Sequence, residues 1–121
     1  MARRRGTAGN DVLNGTDSNF FGFGGDDLIQ GLAGNDKIYG KSGDDHLYGG
    51  LDSDTSGGGG DDDGLFGNAG TDWLNGNAGN DYINGGAGDD NMIGSTGRDY
   101  LTAEQGNDRL SGGADNDQTG D

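Results

Sequence analysis

Residues 76–84 read Gly76-Asn77-Ala78-Gly79-Asn80-Asp81-Tyr82-Ile83-Asn84, and Gly85-Gly86-Ala87-Gly88-Asp89-Asp90-Asn91-Met92 starts the same pattern again. Counting outward from Asp81 in nines meets Asp27, Asp36, Asp45, Asp54, Asp63, Asp72, Asp90, Asp99, Asp108 and Asp117 without a break. Self-similarity at a fixed short period marks stacked identical units, each too small to bury a core alone. What recurs is a carboxylate, so the repeat organises charge as well as packing.

With the aspartate taken as the sixth of nine positions, the units align without gaps from Gly22 to Gly120. Position one is Gly at ten of the eleven units, and Ala103 is the exception. Position four is Gly, or else Asp52, Asp61 or Asp115. Glycine enters φ > 0 without steric cost, and Asp is among the few other residues that tolerate it, so both positions read as turns. Position eight holds Ile29, Ile38, Leu47, Leu65, Leu74, Ile83, Met92, Leu101 and Leu110. One large apolar residue between two mostly polar ones predicts a three-residue strand with a single inward side chain. Six turn residues and three strand residues make half a coil. Two nonapeptides then complete one turn of an all-β, right-handed, flat β-solenoid whose two parallel sheets face each other across a narrow core.

Composition demands something more than that core. The chain has 121 residues, 27% hydrophobic, with thirty glycines and a formal net charge of −15. Low apolar content with high like charge ordinarily leaves a chain disordered. A partner absent from the unfolded chain is required, and metal binding supplies one. Carboxylates and carbonyls are hard oxygen ligands that suit Ca²⁺, which accepts six to eight of them in flexible geometry. Mg²⁺ wants a stricter octahedron, and Zn²⁺ wants His or Cys, of which the chain has one and none. Aspartates eighteen residues apart would stack about 4.8 Å apart along two edges. One edge carries Asp27, Asp45, Asp63, Asp81, Asp99 and Asp117; the other carries Asp36, Asp54, Asp72, Asp90 and Asp108. An ion in each gap between stacked aspartates gives about nine ions.

The unit G-G-x-G-x-D-x-U-x, with U large and apolar, resembles the RTX (repeats-in-toxin) haemolysin-type calcium-binding repeat, which is itself a standard illustration of a nonapeptide solenoid. Residues 85–92 fit it at every defined position, while the unit at Gly112 loses its apolar residue to Thr119. The resemblance covers residues 22–121, with a further copy at Gly6–Asn14 that adds Asp11 to the candidate ligands. It implies a parallel β-roll, calcium held by position-six aspartates plus turn carbonyls, and export by bacterial type I secretion to an extracellular location. Residues 1–21 read as a basic end with degenerate capping repeats, and residues 22–121 as the array. Gly15–Phe21 is a seven-residue copy without a clear ligand, and the cluster of Phe20, Phe21 and, just after it, Phe23 is placed to cap the apolar core. Family members usually carry a cap and secretion signal after the array. Here Asp121 falls inside a worn repeat, which reads as a fragment, a degenerate short member or one module of a larger protein.

Other features carry less. The chain has no cysteine and no apolar run of about twenty residues, so disulfides and a helical membrane span are excluded. Met1-Ala2-Arg3-Arg4-Arg5 lacks the apolar stretch of a signal peptide; it reads as a short solvated end, with contact to phosphates or a partner as the alternative. The acidity elsewhere argues against nucleic-acid binding. His46 has no partner nucleophile and reads as a solvated strand-face residue. Tyr48, Phe66, Tyr82 and Tyr100 fall on one outer face, and Tyr39 and Trp73 on the other, open either to cross-strand stacking or to sugar or partner binding. Around Ser53–Gly64 the repeat weakens, with Ser56 in the core position.

Three functions are compatible with this pattern: a calcium-folded structural module, the repeat portion of a secreted enzyme or toxin, and an adhesive or ice-binding module. No catalytic constellation is present, so the chain reads as no enzyme. The Thr-x-Asn rows of calcium-dependent ice binders are lacking, since position three is mostly Ala (Ala33, Ala69, Ala78, Ala87). The first reading is preferred, with calcium ions, a type I exporter and a host-surface partner of the parent protein as partners.

Overall fold

The computed structural model describes residues 2–6, 12–14 and 27–120, which hold thirteen β-strands and no helix. The strands are β1 (Ala2–Arg5), β2 (Val12–Asn14), β3 (Asp27–Ala33), β4 (Lys37–Ser42), β5 (His46–Leu51), β6 (Thr55–Gly60), β7 (Gly64–Ala69), β8 (Trp73–Ala78), β9 (Tyr82–Ala87), β10 (Asn91–Thr96), β11 (Tyr100–Gln105), β12 (Arg109–Ala114) and β13 (Gln118–Gly120). Odd-numbered strands form a seven-stranded sheet in chain order, and even-numbered strands form a six-stranded one. Every pairing is parallel. From β3 onward the partners are eighteen residues apart, as with Leu65 and Ile83 or Met92 and Leu110. Consecutive strands thus alternate between sheets, and each coil of this β-solenoid consumes two nonapeptides.

Position eight forms the core as its spacing predicts. Ile29, Ile38, Leu47, Leu65, Leu74, Ile83, Met92 and Leu101 are fully buried, and Leu13 and Leu110 pack partly buried against them. Ser56 occupies the same column, between Ile38 and Leu74, and is equally buried.

The strands are longer than the expected three residues. Those from β4 to β12 each span six, running from position seven through position three of the next unit, so the turn contracts to positions four to six. The extension has a bend inside it. Pairing skips position one and resumes at position two, as at Ser95 opposite Gly113. Position two takes positive φ even where it is not glycine: Leu32 (92°), Asn68 (77°), Asn77 (76°), Ser95 (86°) and Glu104 (78°). Position four behaves as predicted, with Asp52, Asp61 and Asp115 at positive φ alongside the glycines.

The first coil differs. Ala2 lies opposite Asp27 and Val12 opposite Lys37, an offset of twenty-five residues, seven more than elsewhere. Seven is the length of the irregular copy at residues 15–21. That copy, the Phe20, Phe21 and Phe23 cluster and Asp11 lie outside the described residues. The basic start is more than a solvated end: residues 2–5 are the edge strand β1, with exposed arginines and with Arg4 opposite Ile29 in the inward column.

Candidate metal centre

Position six closes each turn just before the chain re-enters a sheet, which stacks the aspartates of successive coils. The backbone N–H of each donates to Oδ1 of the aspartate eighteen residues later. Nine such bonds, 2.8–3.1 Å long, run from Asp27 to Asp117 along one edge and from Asp36 to Asp108 along the other. Both predicted columns are therefore present. The aspartates from Asp27 to Asp99 are buried, none more than 4% exposed, while Asp108 and Asp117 in the last coil are half-buried.

The ladder uses one carboxylate oxygen. The other, Oδ2, has no hydrogen-bond partner in Asp54, Asp63, Asp72, Asp81, Asp90 and Asp99, and is buried in each. Its surroundings explain position one. A Cβ on Gly49, Gly58, Gly67 or Gly94 would collide with the carboxylate of Asp54, Asp63, Asp72 or Asp99. The same Cβ would lie 2.5–2.8 Å from the carbonyl oxygen of Gly67, Gly76, Gly85 or Gly112 on the next coil. None of these glycines has positive φ, so the turn-conformation reason expected for position one is wrong. At these four units a carboxylate and a carbonyl oxygen crowd one bare Cα, whereas the unit at Ala103 admits a Cβ at the same position. Both oxygens are acceptors, and Oδ2 has no donor.

Electrostatics point the same way. Burial pushes the carboxyl of Asp63 up to about 8, Asp72 to about 7, and Asp54 and Asp81 to about 6, and it raises Asp90 and Asp99 as well. The backbone hydrogen bond from the preceding aspartate opposes the rise, and the carboxylates of neighbouring coils add to it. A stack of like charges out of water favours either protons or a cation.

Among the described residues, no three His, Cys, Asp or Glu side chains converge tightly enough to hold a metal unaided. A cation here would need carbonyl oxygens as well as carboxylates. That mixed oxygen set fits calcium and not zinc.

A second ladder lies outside the first and was not anticipated from the sequence. The position-five side chain accepts the N–H of the position-five residue one coil later: Asn35 from Ser53, Asp44 from Asp62, Ser53 from Thr71, Asp62 from Asn80, Asn80 from Arg98 and Asp89 from Asn107, at 2.7–3.4 Å. The signal was available, because from Asn35 to Asn116 every position five except Arg98 is Asn, Asp, Ser or Thr. His46 is exposed at the start of β5.

On the outer face of the seven-stranded sheet the aromatics form one continuous stack. Tyr48 and Phe66 are 4.9 Å apart and nearly parallel, Phe66 and Tyr82 are 5.7 Å apart and tilted, and Tyr82 and Tyr100 are 5.4 Å apart and nearly parallel. Rings packed this way on neighbouring strands stabilise one another, which favours the cross-strand reading for this column.

Fold and site together define a parallel β-solenoid that holds buried carboxylates in register between its coils. The sequence profile of the RTX calcium-binding nonapeptide repeat, a four-copy unit, matches residues 5–19, 21–55, 56–92, 66–101 and 85–118, and the chain belongs to that family. Neither a curated protein nor a solved structure matches it.

Proposed function

We propose that this RTX β-roll is disordered without calcium and folds on binding it outside the cell, as a module of a secreted bacterial protein. The observation that carries the reading is the row of buried Oδ2 atoms with no hydrogen-bond partner, each beside a like charge one coil away. Asp27, Asp36, Asp45, Asp54, Asp63, Asp72, Asp81, Asp90, Asp99, Asp108 and Asp117 would hold the ions, with Asp11 as a further ligand, and carbonyls at position one would complete the oxygen set. Calcium supplies positive charge and tolerance of six to eight oxygen ligands. The chain's own groups do the rest. Each Asp N–H orients the next carboxylate through Oδ1, the bare Cα of position one leaves Oδ2 room, and the aliphatic column excludes water from one side. Filling every gap in both columns takes about nine ions.

Cells keep calcium low inside and high outside, so a chain that folds only on calcium stays unfolded until exported. The family is typical of secreted bacterial proteins, which supports an extracellular location, a type I exporter as a transient partner and a host surface as a target of any larger parent. No helix among the described residues is long and apolar enough to cross a membrane. The module has a binding role and no catalytic one in this reading.

The test is far-ultraviolet circular dichroism. In chelator the spectrum is coil-like, and it converts cooperatively to β signal at about 10⁻⁴–10⁻³ M Ca²⁺, the range of extracellular modules. Magnesium at equal concentration substitutes poorly. A fully folded chain in excess EDTA would sink the proposal.

A further inference from the structure

The two outer faces of the solenoid are not alike. On the seven-stranded sheet each aromatic has a ring neighbour, whereas the described residues of the six-stranded sheet present two aromatics, Tyr39 and Trp73, that do not stack on another ring. Tyr39 leans over β6, its ring 3.7 Å from where a Cβ on Gly57 would stand. Trp73 is 48% exposed, and among the described residues no ring stacks on it. Its cross-strand neighbours in the same column are Thr55 and Asn91, both short and polar. About half of the indole is thus exposed, with no ring stacked on it among the described residues.

Beside it runs a groove of about 810 Å³ that follows four coils, from Ser53 to Arg109. That volume is in the range of small-ligand sites, about 300–1,000 Å³. No aliphatic side chain lines it; apart from Trp73 and Arg109 its walls are hydroxyl, amide and carboxylate groups. Each class of ligand meets this lining differently. An apolar peptide would find no aliphatic pocket. Nucleic acid and acidic polysaccharides would meet the Asp89 carboxylate, which stands at position five, outside the columns assigned to the ions. An uncharged sugar chain suits it: the apolar face of a pyranose lies on an aromatic ring, and its hydroxyls pair with Thr55, Thr71, Asn91 and Asn107. The repeat contributes too, since it offers a similar polar group at every coil along an extended polymer.

We propose that the groove beside Trp73 binds an uncharged polysaccharide, with one sugar ring stacked on the indole and its neighbours hydrogen-bonded along the turns. The position-six aspartates, which also line the groove, are left to the ions. The proposal rests on the calcium reading only in needing the coils folded.

Trp73 is the only tryptophan, so its fluorescence reports on this groove alone. The chain in 5 mM calcium, checked for β signal by circular dichroism, is titrated with cellohexaose, xylohexaose and maltohexaose, with sulfated cellohexaose, a weaker calcium ligand than a uronate, as the anionic control. The expected result is a saturable fluorescence change with at least one neutral sugar and none with the anionic one. In affinity electrophoresis through the matching neutral polysaccharide, the parent chain is retarded, Trp73→Ala loses the retardation and Trp73→Phe keeps part of it. Silence with all three neutral sugars, preference for the anionic one, or a Trp73→Ala chain retarded as strongly as the parent would each overturn the proposal. A missing β signal would instead sink the calcium reading, and the groove with it.

Discussion

At the scale of single residues, one aspartate oxygen is engaged by a backbone N–H and the other is left facing a carbonyl. Nine-residue spacing made the aspartates conspicuous, but it could not say which oxygen would be orphaned, because that depends on the carbonyl of a coil eighteen residues away. The metal-free chain should consequently respond to acid. Asp63 titrates near 8 when folded against 3.8 as its ordinary value, with Asp72, Asp54 and Asp81 between. A carboxyl with a raised folded pKa binds protons more tightly in the folded state, so its contribution is complete below about 3.8 and is lost as pH climbs through 6 to 8. Metal-free protein should gain β signal on acidification across that window, and calcium binding should strengthen as pH rises. Asp63→Asn separates the two effects. The amide keeps the Oδ1 acceptor and adds an N–H that can donate to the Gly76 carbonyl, so metal-free folding at pH 7 should improve. The calcium-loaded form should lose about 1–3 kcal/mol, the usual cost of removing a charged partner. The β signal of both proteins in chelator, and their melts in calcium, check the opposite signs.

Among the elements, the aromatic column shows how neighbouring strands constrain one another. Tyr48 and Phe66 sit at position nine, Tyr82 and Tyr100 at position seven, so the stack must cross diagonally from Phe66 to Tyr82. Gly64, opposite Tyr82, makes this possible: a Cβ there would lie 3.3 Å from the Phe66 ring. Phe66 is thus the joint of the stack. Phe66→Ala should cost about 1–3 kcal/mol beyond its lost area, since it removes two ring pairs at about 0.5–1.5 kcal/mol each, and Tyr100→Ala about half as much. Denaturant midpoints in saturating calcium measure both. Equal losses would mean that the rings act as separate surface groups. The face on which these residues fall was readable from alternation along the strand, whereas the diagonal was not, because it depends on register between units and on a missing Cβ.

Over the whole molecule, stability is a sum of coils and their interfaces, so the weakest coil sets where opening begins. That coil contains β6. Its inward residue is Ser56, buried with an unpartnered Oγ, and four glycines follow. As calcium is lowered, amide exchange should accelerate around Leu51–Gly64 before it does around Gly67–Leu101. Ser56→Leu extends the aliphatic column by three carbons and removes the orphan hydroxyl, a gain of roughly 2 kcal/mol at about 0.8 kcal/mol per carbon. The calcium midpoint should fall accordingly. An unchanged or higher midpoint would show that the hole left by Ser56 is too small for leucine.

What the amino-acid order determined by itself was the part of the repeat that local preference decides. The nine-residue beat dictates two nonapeptides per coil, the aspartate columns, the inward aliphatic row and the left-handed fourth position, because each follows from periodicity and local backbone preference. Tertiary structure alone decided what depends on the neighbouring coil. The position-one glycines Gly49, Gly58, Gly67 and Gly94 are crowded by a carboxylate and a carbonyl, although their own φ would admit any residue. Position two turns left-handed even at Leu32 and Glu104, because inter-coil pairing outweighs the local preference of an L-residue. The arginines at the start join a sheet because β3 offers an open edge, and Trp73 has no ring opposite it because the strands on either side carry Thr55 and Asn91. A local pattern records what each unit wants; contacts eighteen residues away decide what it gets.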